Sequence, residues 1–184
     1  MKKQLLNRTN NLSFRKNLKW ILILLILFIS CNKEVDFKPQ AINFDRDACH
    51  VCKMGLTDQR FNVQAINAYG EVWFYDDLGC LAEEMRDTNQ WNKWKGNKVK
   101  FWIGDYNKGN LKDNWIDAEK AFYTYGIHTP MDYGYVAHST KPTKEIAYSF
   151  KEAVKRIDEG KTRREHYIQE NKILMKDDEN SKKQ

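Results

Sequence analysis

The sequence predicts an α+β domain made of two related ββα-type halves. Two observations lead there. Over residues 61–87, an alternating segment, a turn, an aromatic segment and a helically spaced apolar set follow in order. Over residues 121–158 the order strand, loop, strand, helix returns. Each half alone has too few strands to bury its apolar face, so the two are expected to pack into one domain.

The N-terminus is set apart from that domain. Residues 1–19 carry Lys2, Lys3, Arg8, Arg15, Lys16 and Lys19 and no acid, and residues 20–29 are unbroken apolar sequence ending at Ser30-Cys31. Ten apolar residues are too few to span a bilayer and suit the core of a signal peptide. The stretch resembles a bacterial lipoprotein signal, with Phe28-Ile29-Ser30-Cys31 as the lipobox and Phe28 where Leu is usual. That resemblance implies removal of residues 1–30, a lipid on Cys31, and an exported chain anchored in the bacterial cell envelope.

Removing the signal also removes the basic excess. The whole chain has 31 basic and 25 acidic residues; six of the basic ones lie in the signal, so residues 31–184 are balanced. A clustered basic face is absent from the pattern, and no nucleic-acid partner is expected. The 154 residues that remain are enough for one domain with a core. Cys31 aside, three cysteines remain, Cys49, Cys52 and Cys80. An odd count in an exported protein suggests that at least one is a ligand or a reactive thiol.

In chain order, residues 31–44 are polar, carry Pro39 and read as a lipidated tether. The folded domain is expected over 45–158. Phe61, Val63 and Ala65 alternate with Asn62, Gln64 and Ile66, the pattern of a half-buried strand. After the turn Ala68-Tyr69-Gly70, residues 72–75 read as the returning strand. Asp77 can cap a helix over 78–87 whose apolar face is Leu78, Leu81, Ala82 and Met85. That places Cys80 in the first turn, where helix amides lower a thiol pKa. Residues 88–97 read as a loop, and 98–106 as a strand through Val99, Phe101 and Ile103. A strand over about 121–125, a turn-rich loop over 126–134 and a strand over 135–138 follow. A helix is expected to open at Thr140 and Pro142, to bury Ile146, Phe150, Val154 and Ile157, and to end at Gly160. Residues 159–184 read as a charged helix grading into a disordered tail.

The chemistry concentrates in Cys49-His50-Val51-Cys52-Lys53-Met54. Thiolate and thioether are soft ligands that select Cu(I), zinc or iron–sulfur clusters, and the thioether favours Cu(I). Cys49, Cys52 and Met54 are the primary candidates. His50, His128, His138 and Cys80 are weaker ones: His50 is expected to point away between the two thiols or to lend a weak imidazole contact, His128 and His138 are more simply surface or sheet residues, and Cys80 a small buried residue at a helix start. Two other readings stay open. Cys49 and Cys52 could form the redox pair of a thiol–disulfide oxidoreductase, or, with Cys80 and a histidine, the zinc site of an adaptor.

Four segments resemble the NosL family of copper-binding lipoproteins that help mature nitrous oxide reductase. They are Asp47-x-Cys49-His50-Val51-Cys52-x-Met54, Phe74-Tyr75-Asp76-Asp77-Leu78-Gly79-Cys80-Leu81, Asn114-Trp115-Ile116-Asp117-Ala118-x-x-Ala121-Phe122-Tyr123, and Thr129-Pro130-Met131-x-x-Gly134-Tyr135-Val136-Ala137. Lys53 stands where the family more often has Gly or Asn, Asp132 where Gly is usual, and His138 where a small or apolar residue is usual. The resemblance implies a NosL-like domain and a non-enzymatic chaperone. The chaperone would bind Cu(I), with Met131 closing the site from the second half. Its partners would be the copper ion, the membrane through Cys31, and an apo copper enzyme or its maturation complex, nitrous oxide reductase in denitrification.

Overall fold

The computed structural model describes residues 34–87, 89, 94, 98–111 and 113–181. The expected signal peptide and Cys31 lie outside these residues. Among the described residues no helix is long and apolar enough to cross a membrane.

Four strands form one antiparallel sheet in the order β2-β1-β3-β4: β1 (Val63–Ile66), β2 (Val72–Tyr75), β3 (Lys100–Ile103) and β4 (Ile116–Asp117). Helix α1 (Leu78–Arg86) follows β2. A separate antiparallel pair joins β5 (Phe122–Tyr125) to β6 (Tyr135–His138) and leads into α2 (Phe150–Asp158). Strand, strand, helix therefore recurs in each half as the sequence predicts, but β3 and β4 enlarge the first sheet. Helix α3 (Arg163–Ser181) closes the described chain.

The alternation over 61–66 predicts a half-buried strand; the structure buries all four residues of β1. The reason is position. β1 is paired on both edges, with Gln64 opposite Phe74 on one side and Trp102 on the other. Its polar side chain is satisfied internally, because the Gln64 amide accepts from the Gln40 N–H at 2.9 Å and donates to the Gln40 carbonyl at 3.0 Å. Part of the stretch read as tether thus lies on the sheet. Phe37 accepts the Trp102 indole N–H at 2.8 Å, and Ile42 belongs to the core.

One continuous aromatic path joins the halves. Trp73 of β2 meets Trp94, Trp94 meets Phe101 of β3, Phe101 stacks on Phe150 of α2, and Phe150 meets Tyr123 of β5. These large rings fill the space between the sheets and the two helices, which pack on each other.

The second helix starts later than its apolar spacing suggests. Ser149 is the N-cap of a capping box with Glu152, and Tyr148 is still extended, exchanging two backbone bonds with Tyr123 at 2.8 Å. Backbone pairing with β5 wins over the helical periodicity of 142–149, and Ile146 is left 74% exposed. After β3 the chain makes a short 3-10 turn, Tyr106–Lys108, capped by Asp105, so the strand expected to run to 106 ends at Ile103.

Candidate metal centre

The loop that carries the first two cysteines is a tight turn closed by its own backbone. Ala48 and Gly55 form an antiparallel bridge, the Cys49 N–H donates to the Met54 carbonyl at 2.8 Å, and the Lys53 N–H donates to the Cys49 carbonyl at 3.0 Å. The His50 N–H donates to the Phe74 carbonyl at 2.8 Å and pins the loop to β2. Closing so short a loop demands a left-handed residue, and Lys53 takes that conformation with φ 64°. This is the position where the related pattern more often has Gly or Asn, the residues most at ease there.

Helix α1 supplies the third thiol. Asp77 is its N-cap, accepting the Gly79 N–H at 3.0 Å, and Cys80 lies in the first turn. The sulfur atoms of Cys49, Cys52 and Cys80 all lie within 4.8 Å of one another. Three sulfurs around one ion at about 2.3 Å would stand about 4 Å apart, so little movement is needed to enclose a metal. Cys49 and Cys80 are buried, whereas Cys52 is half-buried and opens the group toward solvent. Cys80 is only a weaker candidate by sequence; its proximity is created by the packing of α1 against the loop.

The three thiols are electrostatically unequal. The Cys80 thiol donates to the Cys49 sulfur, and the backbone N–H groups of Asp76, Cys52 and Val51 also bond it. Together they outweigh the opposing effect of burial and hold Cys49 well below the usual thiol range. Cys80 moves the other way, because it is the donor to Cys49 and is itself buried. The expectation that a first-turn position would lower the Cys80 pKa is therefore reversed: the helix-terminal field is overridden by a closer negative sulfur. Burial also pushes Cys52 up.

A buried aspartate ties this centre to the second half. Thr129 donates its hydroxyl to Asp77 Oδ2, and the Met131 N–H reaches the same oxygen at 3.3 Å. Burial pushes Asp77 up to about 6 against these hydrogen bonds. Burial, with the negative Cys49 second, does the same to Asp76, also up to about 6. Gly79 is required here, because a Cβ on it would lie 1.9 Å from Cγ of Tyr133. The ring of Tyr133 thus sits directly on the first turn of α1. On its other side the Thr-Pro-Met loop is held by α3: Arg163 Nε bonds Asp132 at 2.8 Å and the Arg164 N–H bonds the Asp132 carbonyl at 2.8 Å. Asp132 is the second non-glycine left-handed residue, φ 53°, again where the related pattern has Gly.

The remaining candidates divide. Met54 is 46% exposed on the lip of the loop, and Met131 is partly buried against the core. Neither histidine of the Met131 region joins the thiols. His128 is exposed and bonds Asp132 at 3.0 Å through Nδ1. His138 is buried on β6, bonds the Thr124 hydroxyl at 2.9 Å, and burial lowers its pKa. His50 lies beside the thiols in sequence but outside the three-sulfur group; its Nδ1 bonds Glu84 at 2.8 Å. Glu84, one turn after Cys80, was not among the sequence candidates. Its i, i+4 offset from Cys80, which puts both on one helix face, is the signal that places it there.

Fold and site together define an α+β domain with a three-thiol centre. No protein-family model and no curated protein sequence matches the chain. Among solved structures it is similar to the crystal structure of the copper chaperone NosL from Shewanella denitrificans. The two superimpose with a TM-score of 0.52 at 17% identity, over 64% of this chain and 96% of that one, so this chain has the NosL fold.

Proposed function

We propose that this chain is a membrane-anchored Cu(I) chaperone that hands copper to an apo copper enzyme, with nitrous oxide reductase as the recipient. The observation that carries the reading is the approach of Cys49, Cys52 and Cys80 to within 4.8 Å, part buried and part open, in a NosL-like fold. Three sulfurs are the donors a soft monovalent ion prefers. The exposed Met54 and half-buried Cys52 form the entry, and the buried Cys49 and Cys80 hold the ion. A thioether carries no proton, so Met54 remains a competent donor at any pH, and exposure lets a recipient's ligand attack there first. The Met131 loop, fixed to α1 through Asp77, completes the site from the second half.

The oxidoreductase reading fits less well. Cys49 and Cys52 lie in a closed turn whose backbone leads into the Gly55 bridge, not into a helix. A zinc adaptor would use the same three thiols with a fourth ligand. One titration separates them. The reduced chain is titrated with Cu(I) against a chromophoric Cu(I) chelator, and with Zn(II) against a zinc chelator. One tightly held Cu(I), weakened at least tenfold by Cys49→Ser and by Cys80→Ser, is the expected outcome. Unfolding on zinc chelation, or Cu(I) affinity indifferent to Cys80→Ser, overturns the reading.

A further inference from the structure

We infer that Tyr75 is a positioning residue of the loaded thiol centre: its buried hydroxyl donates a hydrogen bond to the thiolate that metal binding creates on Cys80. The inference deepens the copper-carrier reading proposed above and rests on it.

Loading changes what the three sulfurs need. In the metal-free chain the Cys80 thiol donates to the Cys49 sulfur. Binding through sulfur requires the thiolate, so a metal held by all three displaces that proton. Three thiolates around one monovalent ion leave two net negative charges in a site where Cys49 and Cys80 are buried. Charge so enclosed must be met by hydrogen-bond donors.

Two of the sulfurs have backbone donors in place. The N–H groups of Asp76, Cys52 and Val51 bond Cys49, and that of Met54 bonds Cys52. Cys80 differs, because its sulfur is itself the donor in the pair with Cys49. Its own N–H is used within the helix start, donating to the Asp77 carbonyl at 3.0 Å. Once the proton leaves, the Cys80 sulfur becomes a buried anion that needs a new donor.

Tyr75 carries one. It is fully buried at the end of β2, and its hydroxyl has no hydrogen-bond partner among the described residues. Its ring meets the His50 ring edge-on at 6.5 Å and so flanks the metal loop. From Tyr75 the chain passes through Asp76 and Asp77 straight into the helical turn that holds Cys80. Burial first, then the charges of Glu84, Cys49 and Cys80, push the phenol far above its usual range, so it remains an O–H donor. Of those three neighbours, Glu84 already bonds the His50 ring and Cys49 already has three backbone donors. Cys80 is the acceptor that loading adds. A buried hydroxyl without a partner destabilises the metal-free chain, and a bond to a charged acceptor stabilises the loaded one. Tyr75 therefore acts on the difference between the two states, which is the affinity. Donors of this kind around a metal-bound sulfur tune the metal without touching it.

The test compares wild type, Tyr75→Phe, Cys80→Ser and Tyr75→Phe/Cys80→Ser, all as the full reduced chain. Cu(I) is titrated against a chromophoric Cu(I) chelator, and Cd(II) is followed by its thiolate charge-transfer absorption. Tyr75→Phe should weaken both ions about tenfold. The metal-free variant should unfold in urea at the wild-type midpoint or above it, a sign opposite to that of lost packing. In the Cys80→Ser background, Tyr75→Phe should change affinity by no more than about twofold. Affinity unchanged in Tyr75→Phe, a loss that persists without Cys80, or a metal-free variant that unfolds earlier overturns the inference. Cu(I) held by the wild type with no dependence on Tyr75 keeps the copper reading and refutes the hydroxyl's role. A wild type that takes Cd(II) but not Cu(I), with the expected dependence on Tyr75 and Cys80, refutes the copper reading and keeps the hydroxyl's role.

Discussion

Lys53 offers a direct test of how the metal loop is built. With φ at 64° its backbone is left-handed, a conformation that costs a residue with an ordinary side chain about 1 kcal/mol. Asn tolerates it, because a short polar side chain bonds locally. Gly removes the strain but adds about 0.5–1 kcal/mol of unfolded-chain entropy. A β-branched side chain crowds the left-handed region further. The Lys53 ammonium also reaches the His50 carbonyl, a contact at the exposed rim that is worth at most about 0.5 kcal/mol. Lys53→Asn should therefore stabilise the metal-free, reduced chain by about 0.5–1 kcal/mol, raising Tm by roughly 2–3 °C. Lys53→Gly should be close to neutral, and Lys53→Val should lose about 1 kcal/mol or more. Urea and thermal unfolding followed by circular dichroism give the order. A Val variant as stable as Lys, or an Asn variant less stable than Lys, would refute the claim that backbone conformation sets this position.

The docking of the second half on α1 is open to a second test. Gly79→Ala places a methyl 1.9 Å from the Tyr133 ring and should cost about 3 kcal/mol in urea unfolding. The same substitution in a Tyr133→Ala background should cost far less, and equal costs in both backgrounds would remove Tyr133 as the cause. A third test is one of pH. Asp77 is held at about 6 in the folded chain against about 3.9 when unfolded. The native state thus keeps a proton that the unfolded state has lost, and stability falls as pH rises from about 4 to about 6, then levels. Between pH 4.5 and 7 the wild type should lose about 2 kcal/mol relative to Asp77→Asn, read as the change in their unfolding difference. A difference that does not move with pH would show that Asp77 is not buried as a titrating acid.

Where sequence pattern and structure part company, longer-range contacts are the reason. Helix α1 and its Asp77 cap were legible, because a cap and a 3–4 apolar spacing are local signals. Strand β1 was legible in place but not in burial, since nothing within 61–66 reveals that both edges are paired. The second helix was overextended at its start because Tyr148 is claimed by β5, a partner 25 positions away. The tether was drawn too long because Gln64 and Trp102 bind the backbone of Gln40 and Phe37.

The sequence by itself determined the chemistry on offer: a soft Cys-x-x-Cys-x-Met loop and two strand–strand–helix halves. It also marked Lys53 and Asp132 as departures from the related pattern. Only the tertiary structure decided that both are the left-handed turns of their loops. It also decided that Cys80 completes the thiol group, that its proton leans on Cys49, and that Asp77 couples the Met131 loop to the helix carrying it. The division has one physical cause. Ligand type is a property of a residue, whereas a binding site is a distance between residues, and distances across 31 or 52 positions of chain are set by how the core packs.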